Sequence, residues 1–229
     1  MGTNIQVATS GTQCIGAYTA QPSGRPRGGI VVVQEIFGVN AWVRSVVDWF
    51  AAHGYSAIAP AFFDHVESGV ELDYGKAGFE RGRSLVAEIS FDRAVEDVGA
   101  AAQSIASSGR IGVVGYCWGG TIALLAAIRL GLPAVSYYGA RNVQVLDQPL
   151  AAPVQFHFGD RDESIPAAAV TRHRERYANE IAAGMVEVCS YADAGHAFDR
   201  DIDTGHFAPA ASATSRTRML AFLDRHLGT

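Results

Sequence analysis

A cysteine flanked by glycines stands at Gly115-Tyr116-Cys117-Trp118-Gly119-Gly120, between an apolar run at residues 110–114 and a helix-like stretch at residues 121–130. A Gly-x-nucleophile-x-Gly turn from strand to helix needs small residues. It holds the nucleophile in a strained backbone conformation while strand and helix approach closely. Such a turn pushes the thiol of Cys117 out into a site. The competing reading is a buried cysteine beside a glycine-rich turn, because free Cys is among the most buried residue types.

An ordinary thiol is mostly protonated at neutral pH, so a nucleophilic Cys needs a base, and the base needs an acid to orient it. In the topology that uses this elbow, acid and base follow the nucleophile in chain order, on loops after later strands. His196, in Ala194-Gly195-His196-Ala197-Phe198, follows the last strand-like segment and precedes the final helix-like one. His53 ends a helix, His65 lies in an irregular stretch, His173 and His226 fall on helices and His157 within a strand, which leaves His206 as the rival. The acid belongs in Gly159-Asp160-Arg161-Asp162-Glu163-Ser164-Ile165-Pro166. Asp162 fits the spacing G-x-x-D-x-x-x-P, Asp160 is the alternative, and the other of the two is a solvated turn residue.

A tetrahedral oxyanion needs two backbone donors. One is the N–H after the nucleophile, Trp118, and the other belongs to the loop after the first central strand, in Gln34-Glu35-Ile36-Phe37-Gly38-Val39-Asn40, where Ile36 is the candidate. Glu35 at the mouth of that strand is costly to bury without a partner. It reads either as a charge at a loop start or as a group that holds or takes the proton of Cys117.

The elements that would carry these groups alternate along the chain. Strands are expected at residues 13–19, 29–34, 55–59, 110–115, 134–138, 154–158 and 186–191. Helices are expected at 41–53, 91–107, 121–130, 167–183 and about 211–227. Residues 62–83, rich in Gly, Asp, Glu and Tyr, predict a long loop or lid-like insertion. The alternation predicts an α/β class protein, of α/β-hydrolase fold, with a mostly parallel central sheet, helices on both faces, and one domain over residues 1–229.

Hydrophobic residues at 48% and charged residues at 18% suit a sizeable core. A net charge of −5 without a basic run argues against nucleic acid and anionic membrane as partners. Residues 1–10 lack a basic n-region and apolar h-region, and no stretch approaches the length of a membrane span, so a cytoplasmic protein is expected. Cys14, Cys117 and Cys189 are odd in number and lack metal-site spacing. Cys14 and Cys189 are expected to be buried in strands.

Taken together, the segments at 34–40 and 115–120, the Asp162 turn and Gly195-His196-Ala197-Phe198 resemble, in order and over nearly the full chain, the motifs of the dienelactone hydrolases, or carboxymethylenebutenolidases. The resemblance implies an α/β-hydrolase with a Cys-His-Asp triad and a glutamate near the thiol, opening an enol-lactone in the degradation of chlorinated catechols. It assigns Cys117, His196, Asp162 and Glu35 to those roles, and Arg81 and Arg200 to binding of the substrate carboxylate. Where the best-studied members place two aromatic residues after the first arginine, this chain has Leu85 and Glu88 at the pocket wall. A carboxylate at Glu88 would repel an anionic substrate if it pointed inward.

No metal or organic cofactor is implied, the expected partner is a small carboxylated lactone or ester as substrate, and a monomer is expected. A broader carboxylic ester or thioester hydrolase is the second reading. A non-catalytic ligand-binding or thiol redox-sensing member of the fold is the third.

Overall fold

The computed structural model describes residues 1–9 and 13–228. It divides into two compact units, one from Met1 to Val113 with the chain end from Leu227, the other Val114–His226.

In the first unit, β1 (Thr3–Ala8), β2 (Cys14–Ala20), β3 (Gly29–Val33), β4 (Ser56–Pro60) and the start of β5 (Ile111–Tyr116) follow the order β1-β2-β4-β3-β5. β1 runs antiparallel to β2 with Thr3 opposite Thr19, and β2 antiparallel to β4. β3 and β4 pair in parallel from Gly29 opposite Ser56. Every residue of β3 is buried, which its Ile-Val-Val-Val run permits because a parallel strand covered on both faces needs no polar side. Helix α1 (Ala41–Ala52) buries Trp42, Val43, Val46, Val47 and Phe50. It starts where the Asn40 side chain accepts the Val43 N–H at 3.2 Å, one of the amides a helix start leaves open.

Residues 62–83 depart from the loop expected there. A 3-10 turn, Phe62–His65, buries both phenylalanines, and helix α2 runs from Lys76 to Glu88. The buried face of α2 is Gly78, Gly82, Leu85 and Val86, so half of its inward positions carry no side chain to mark a helical period. Those glycines are there for close approach, since a Cβ on Gly82 would stand 2.0 Å from the Ile36 carbonyl oxygen. Ser90 then stops and restarts the chain, its hydroxyl capping α3 (Phe91–Ser104) through the Arg93 N–H at 3.2 Å. Arg81 thus lies inside α2 and not in the expected loop. β1 was not anticipated from the sequence; it is largely exposed, so its apolar pattern is weak. Cys14 corrects a further expectation, being exposed at the outer end of β2, while Cys189 is half-buried.

In the second unit the order is β5-β6-β7-β8, with β6 (Ala134–Tyr137), β7 (Val154–Gly159) and β8 (Val186–Tyr191). β6 pairs with β7 and β7 with β8, both in parallel. Helix α4 (Trp118–Arg129) is buried from Trp118 through Ala127 and begins directly after Cys117, three residues earlier than its glycines suggested. The single helix expected over 167–183 is two, α5 (Ala167–Arg176) and α6 (Ala178–Ala182), parted at the buried Tyr177. Helix α7 (Pro209–Leu227) closes the chain. Because β7 and β8 are parallel, the loops that leave them emerge at one edge of the sheet, the edge where α/β proteins build their sites. Among the described residues no helix is long and apolar enough to cross a membrane.

Candidate active site

Cys117 joins β5 to α4 with φ +54° and ψ −114°, a conformation that side-chain-bearing residues rarely adopt. Its surroundings hold it there. The Cys117 N–H donates to the Tyr137 carbonyl at 3.0 Å, and a Cβ on Gly115 would lie 1.9 Å from the Gly119 carbonyl oxygen. A Cβ on Gly120 would lie 2.6 Å from the Tyr137 oxygen, so both glycines are demanded by close backbone approach. Cys117 itself is half-buried, and Trp118 is the first residue of α4, where a helix has no internal acceptor for its N–H.

The loops after β7 and β8 are tied together. Arg161 N–H donates to the Ala194 carbonyl at 2.9 Å, and Gly159 is needed because a Cβ would meet that oxygen at 2.3 Å. This brings Oδ2 of the fully buried Asp162 carboxylate to 2.7 Å from Nδ1 of His196. Oδ1 of Asp162 accepts the Ser164 N–H at 2.8 Å, which fixes the carboxylate in turn. Asp160 is exposed and takes no part in this pair. Burial alone would lower the pKa of His196, but hydrogen bonds and charge from Cys117 and Asp162 outweigh it and hold the imidazole up at about 10. With Nδ1 on Asp162, Nε2 is the nitrogen that remains for Cys117.

Arg200, four residues beyond His196, is buried and donates to Asp203 at 2.6 Å. The same carboxylate oxygen lies 2.8 Å from Nδ1 of His206. Burial opposes the ionised form of Asp203, yet Arg200 and His206 prevail and its pKa is lowered. His206, the rival base, is exposed and engaged with Asp203.

The other sequence candidates lie in the first unit. Glu35 and Ile36 follow β3 and are buried, and the Gln34 side-chain amide donates to the Glu35 carbonyl at 3.3 Å. Arg81 is exposed on α2 and ion-paired with Glu67. Leu85 is completely buried inside α2. Glu88 opens onto a cavity of about 310 Å³ lined by Gln13, His65, Val66, Ile89, Ser90 and Arg93. His65 of that lining lies 2.8 Å from the buried Asp97, whose pKa burial lifts to about 6 against the pull of His65.

Two groups near His196 escaped sequence reading. Tyr138, at φ +37°, packs its ring 5.1 Å from that of His196. Asp199 is fully buried in the histidine loop. A carboxylate directly after the apolar pair Ala197-Phe198 was the signal that could have found it.

A family profile described as the dienelactone hydrolase family matches residues 15–227. A carboxymethylenebutenolidase of Pseudomonas putida is 31% identical over 94% of this chain and 93% of its own. A crystal structure from Klebsiella pneumoniae, provisionally named a dienelactone hydrolase, superposes with a TM-score of 0.82 at 28% identity, covering 97% of each chain. A Pyrococcus furiosus esterase, 16% identical and covering 100% of this chain and 94% of its own, shares the fold with a TM-score of 0.69. The fold is therefore that of the α/β-hydrolases, and the chain is a hydrolase belonging to the dienelactone hydrolase family.

Proposed function

We propose that this enzyme opens the ring of a carboxylated enol-lactone through an acyl-thioester on Cys117, acting as a single catalytic domain without a cofactor. The observation that carries the reading is His196, held by Asp162 on Nδ1 and bonded to the Cys117 side chain, with its proton strongly retained.

In the first step the Cys117 thiol passes its proton to His196 Nε2. The thiolate adds to the lactone carbonyl, and the Trp118 N–H supports the oxyanion. The carbonyl re-forms as the ring C–O bond breaks, and the expelled enolate takes the proton from His196 Nε2. Neutral His196 then removes a proton from water, hydroxide attacks the thioester, and sulfur leaves as thiolate. Asp162 keeps the imidazole in the required tautomer throughout. An enolate suits this site because a thiolate is itself easily expelled, so a competing leaving group must also be good. The roles carried over by motif, Ile36 as second oxyanion donor, Glu35 as proton partner of the thiol and Arg81 with Arg200 as carboxylate clamp, complete the reading.

Turnover of a dienelactone by Cys117→Ala is the test. Loss of hydrolysis in a folded variant is expected, and unchanged turnover would rule out the mechanism. A broader ester hydrolase is the second reading, favoured by the burial of Leu85, which leaves no aromatic wall at that position. Turnover of activated neutral aryl esters at rates matching those of carboxylated lactones would select it.

A further inference from the structure

We infer that Asp199 and Arg216 are positioning residues, which hold the histidine loop on helix α7 and so keep His196 aligned with Cys117.

Residues 192–208 join β8 to α7 without a helix or strand, so side chains must fix the loop's shape. Asp199 lies three residues beyond His196 and is wholly buried. Its Oδ1 accepts from Ser212 Oγ at 2.6 Å and from Arg216 Nε at 2.8 Å, both on α7 one helical turn apart. Arg216 also donates to the Asp199 backbone carbonyl at 3.2 Å, so one guanidinium grips the side chain and the main chain of the same residue. The exposed Asp201 also lies 3.8 Å from this guanidinium. Phe198 carbonyl accepts the Ala208 N–H at 3.0 Å, which closes the loop beside this grip.

A buried ion pair is a poor device for stability, because desolvating both charges costs about as much as their attraction returns. Burial in fact disfavours the ionised form of Asp199, lifting its pKa to about 6 despite Arg216. What the pair supplies is geometry. Phe198 touches both sides of the reaction centre, its ring 6.0 Å from Tyr137, whose carbonyl holds the Cys117 amide, and 5.5 Å from Tyr138, which packs on His196. Asp199 is the next residue, so loosening its grip loosens the alignment of base and nucleophile together. A misplacement of about 1 Å at such a centre can cost roughly a hundredfold in rate.

This inference rests on the proposed roles of Cys117 and His196. Steady-state kinetics and the rate of Cys117 alkylation by iodoacetamide at neutral pH test it, on Asp199→Asn, on Arg216→Gln and on the apolar pair Asp199→Leu with Arg216→Met, which leaves no unpaired buried charge. The expected result is a fall in kcat of roughly tenfold to a hundredfold with KM changed by less than about twofold, and slower alkylation, in every variant that folds. Combining Asp199→Asn with Arg216→Gln is expected to cost no more than either alone. Unaltered kcat and alkylation in the folded apolar pair, with only a lower melting temperature, would assign the ion pair to stability and overturn the inference. Slow alkylation of the unaltered protein, at the rate of a free thiol, would instead sink the reading of Cys117 and His196.

Discussion

Asp162 Oδ2 lies 2.7 Å from His196 Nδ1, with Asp162 itself fixed by the Ser164 N–H at 2.8 Å. The carboxylate therefore dictates which imidazole nitrogen faces the thiol. Asp162→Asn offers an amide in place of an acceptor and favours the wrong tautomer, and in serine-protease triads the equivalent change costs about 10⁴-fold in kcat. A loss of roughly 10³-fold to 10⁴-fold is expected here, while Asp160→Asn, at an exposed position, is expected to leave kcat within about twofold. Rapid-mix kinetics of the two variants side by side decide between the carboxylates, and comparable losses in both would contradict the assignment.

A guanidinium that binds a substrate carboxylate contributes about 1.5–3 kcal/mol, equivalent to a ten- to hundredfold change in affinity. Arg81→Ala is expected to raise KM for carboxylated lactones by about that factor and leave neutral esters unaffected. Arg81 begins paired with Glu67 on an exposed stretch, so Glu67→Gln is expected to lower KM for the same anionic substrates by freeing it. Equal effects of Arg81→Ala on anionic and neutral substrates would show that Arg81 is no clamp.

Four buried groups contribute to the acid behaviour. Burial drives the pKa of His157 down to about 3 and that of His173 to about 4, each below the ordinary imidazole value of 6.5. The unfolded chain thus binds these protons first, and the stability they contribute is lost as pH falls from about 6.5 towards 3. Asp97 and Asp199 are shifted the opposite way, from 3.8 to about 6, so their contribution is lost as pH rises from about 4 to 6. The two trends offset, and a nearly flat stability from about pH 4 to 6 is expected from these groups. His157→Gln removes one proton from the unfolded side, so stability should then fall with rising pH by about 1.4 kcal/mol per unit across that window. Asp97→Asn should tilt it the other way by a similar amount. Urea titrations at pH 4, 5 and 6 read these slopes, and parallel slopes in the two variants would contradict the account.

The parts of the fold with strong apolar runs were legible in the chain itself. β3 is a buried Val-rich strand and α1 carries a stripe from Trp42 to Phe50, so burial and period coincide. Helix α2 was not legible, because Gly78 and Gly82 occupy inward positions while the apolar Phe79 faces outward among charged residues, which blurs the helical period. At the site, Cys117 stood out through glycines that the close approach of backbones requires, at Gly115 and Gly120, and His196 through its place between the last strand and the final helix. Asp199 did not, because its partners Ser212 and Arg216 are distant in sequence and only the return of α7 brings them to it.

The most direct measurement is mass spectrometry of the enzyme quenched during turnover of a slowly hydrolysed lactone. The expected result is an adduct of the intact substrate mass on the peptide containing Cys117, absent in Cys117→Ala and decaying as product forms. Steady turnover with no adduct at any time, or an adduct on another residue, would contradict the covalent thioester on which the account stands.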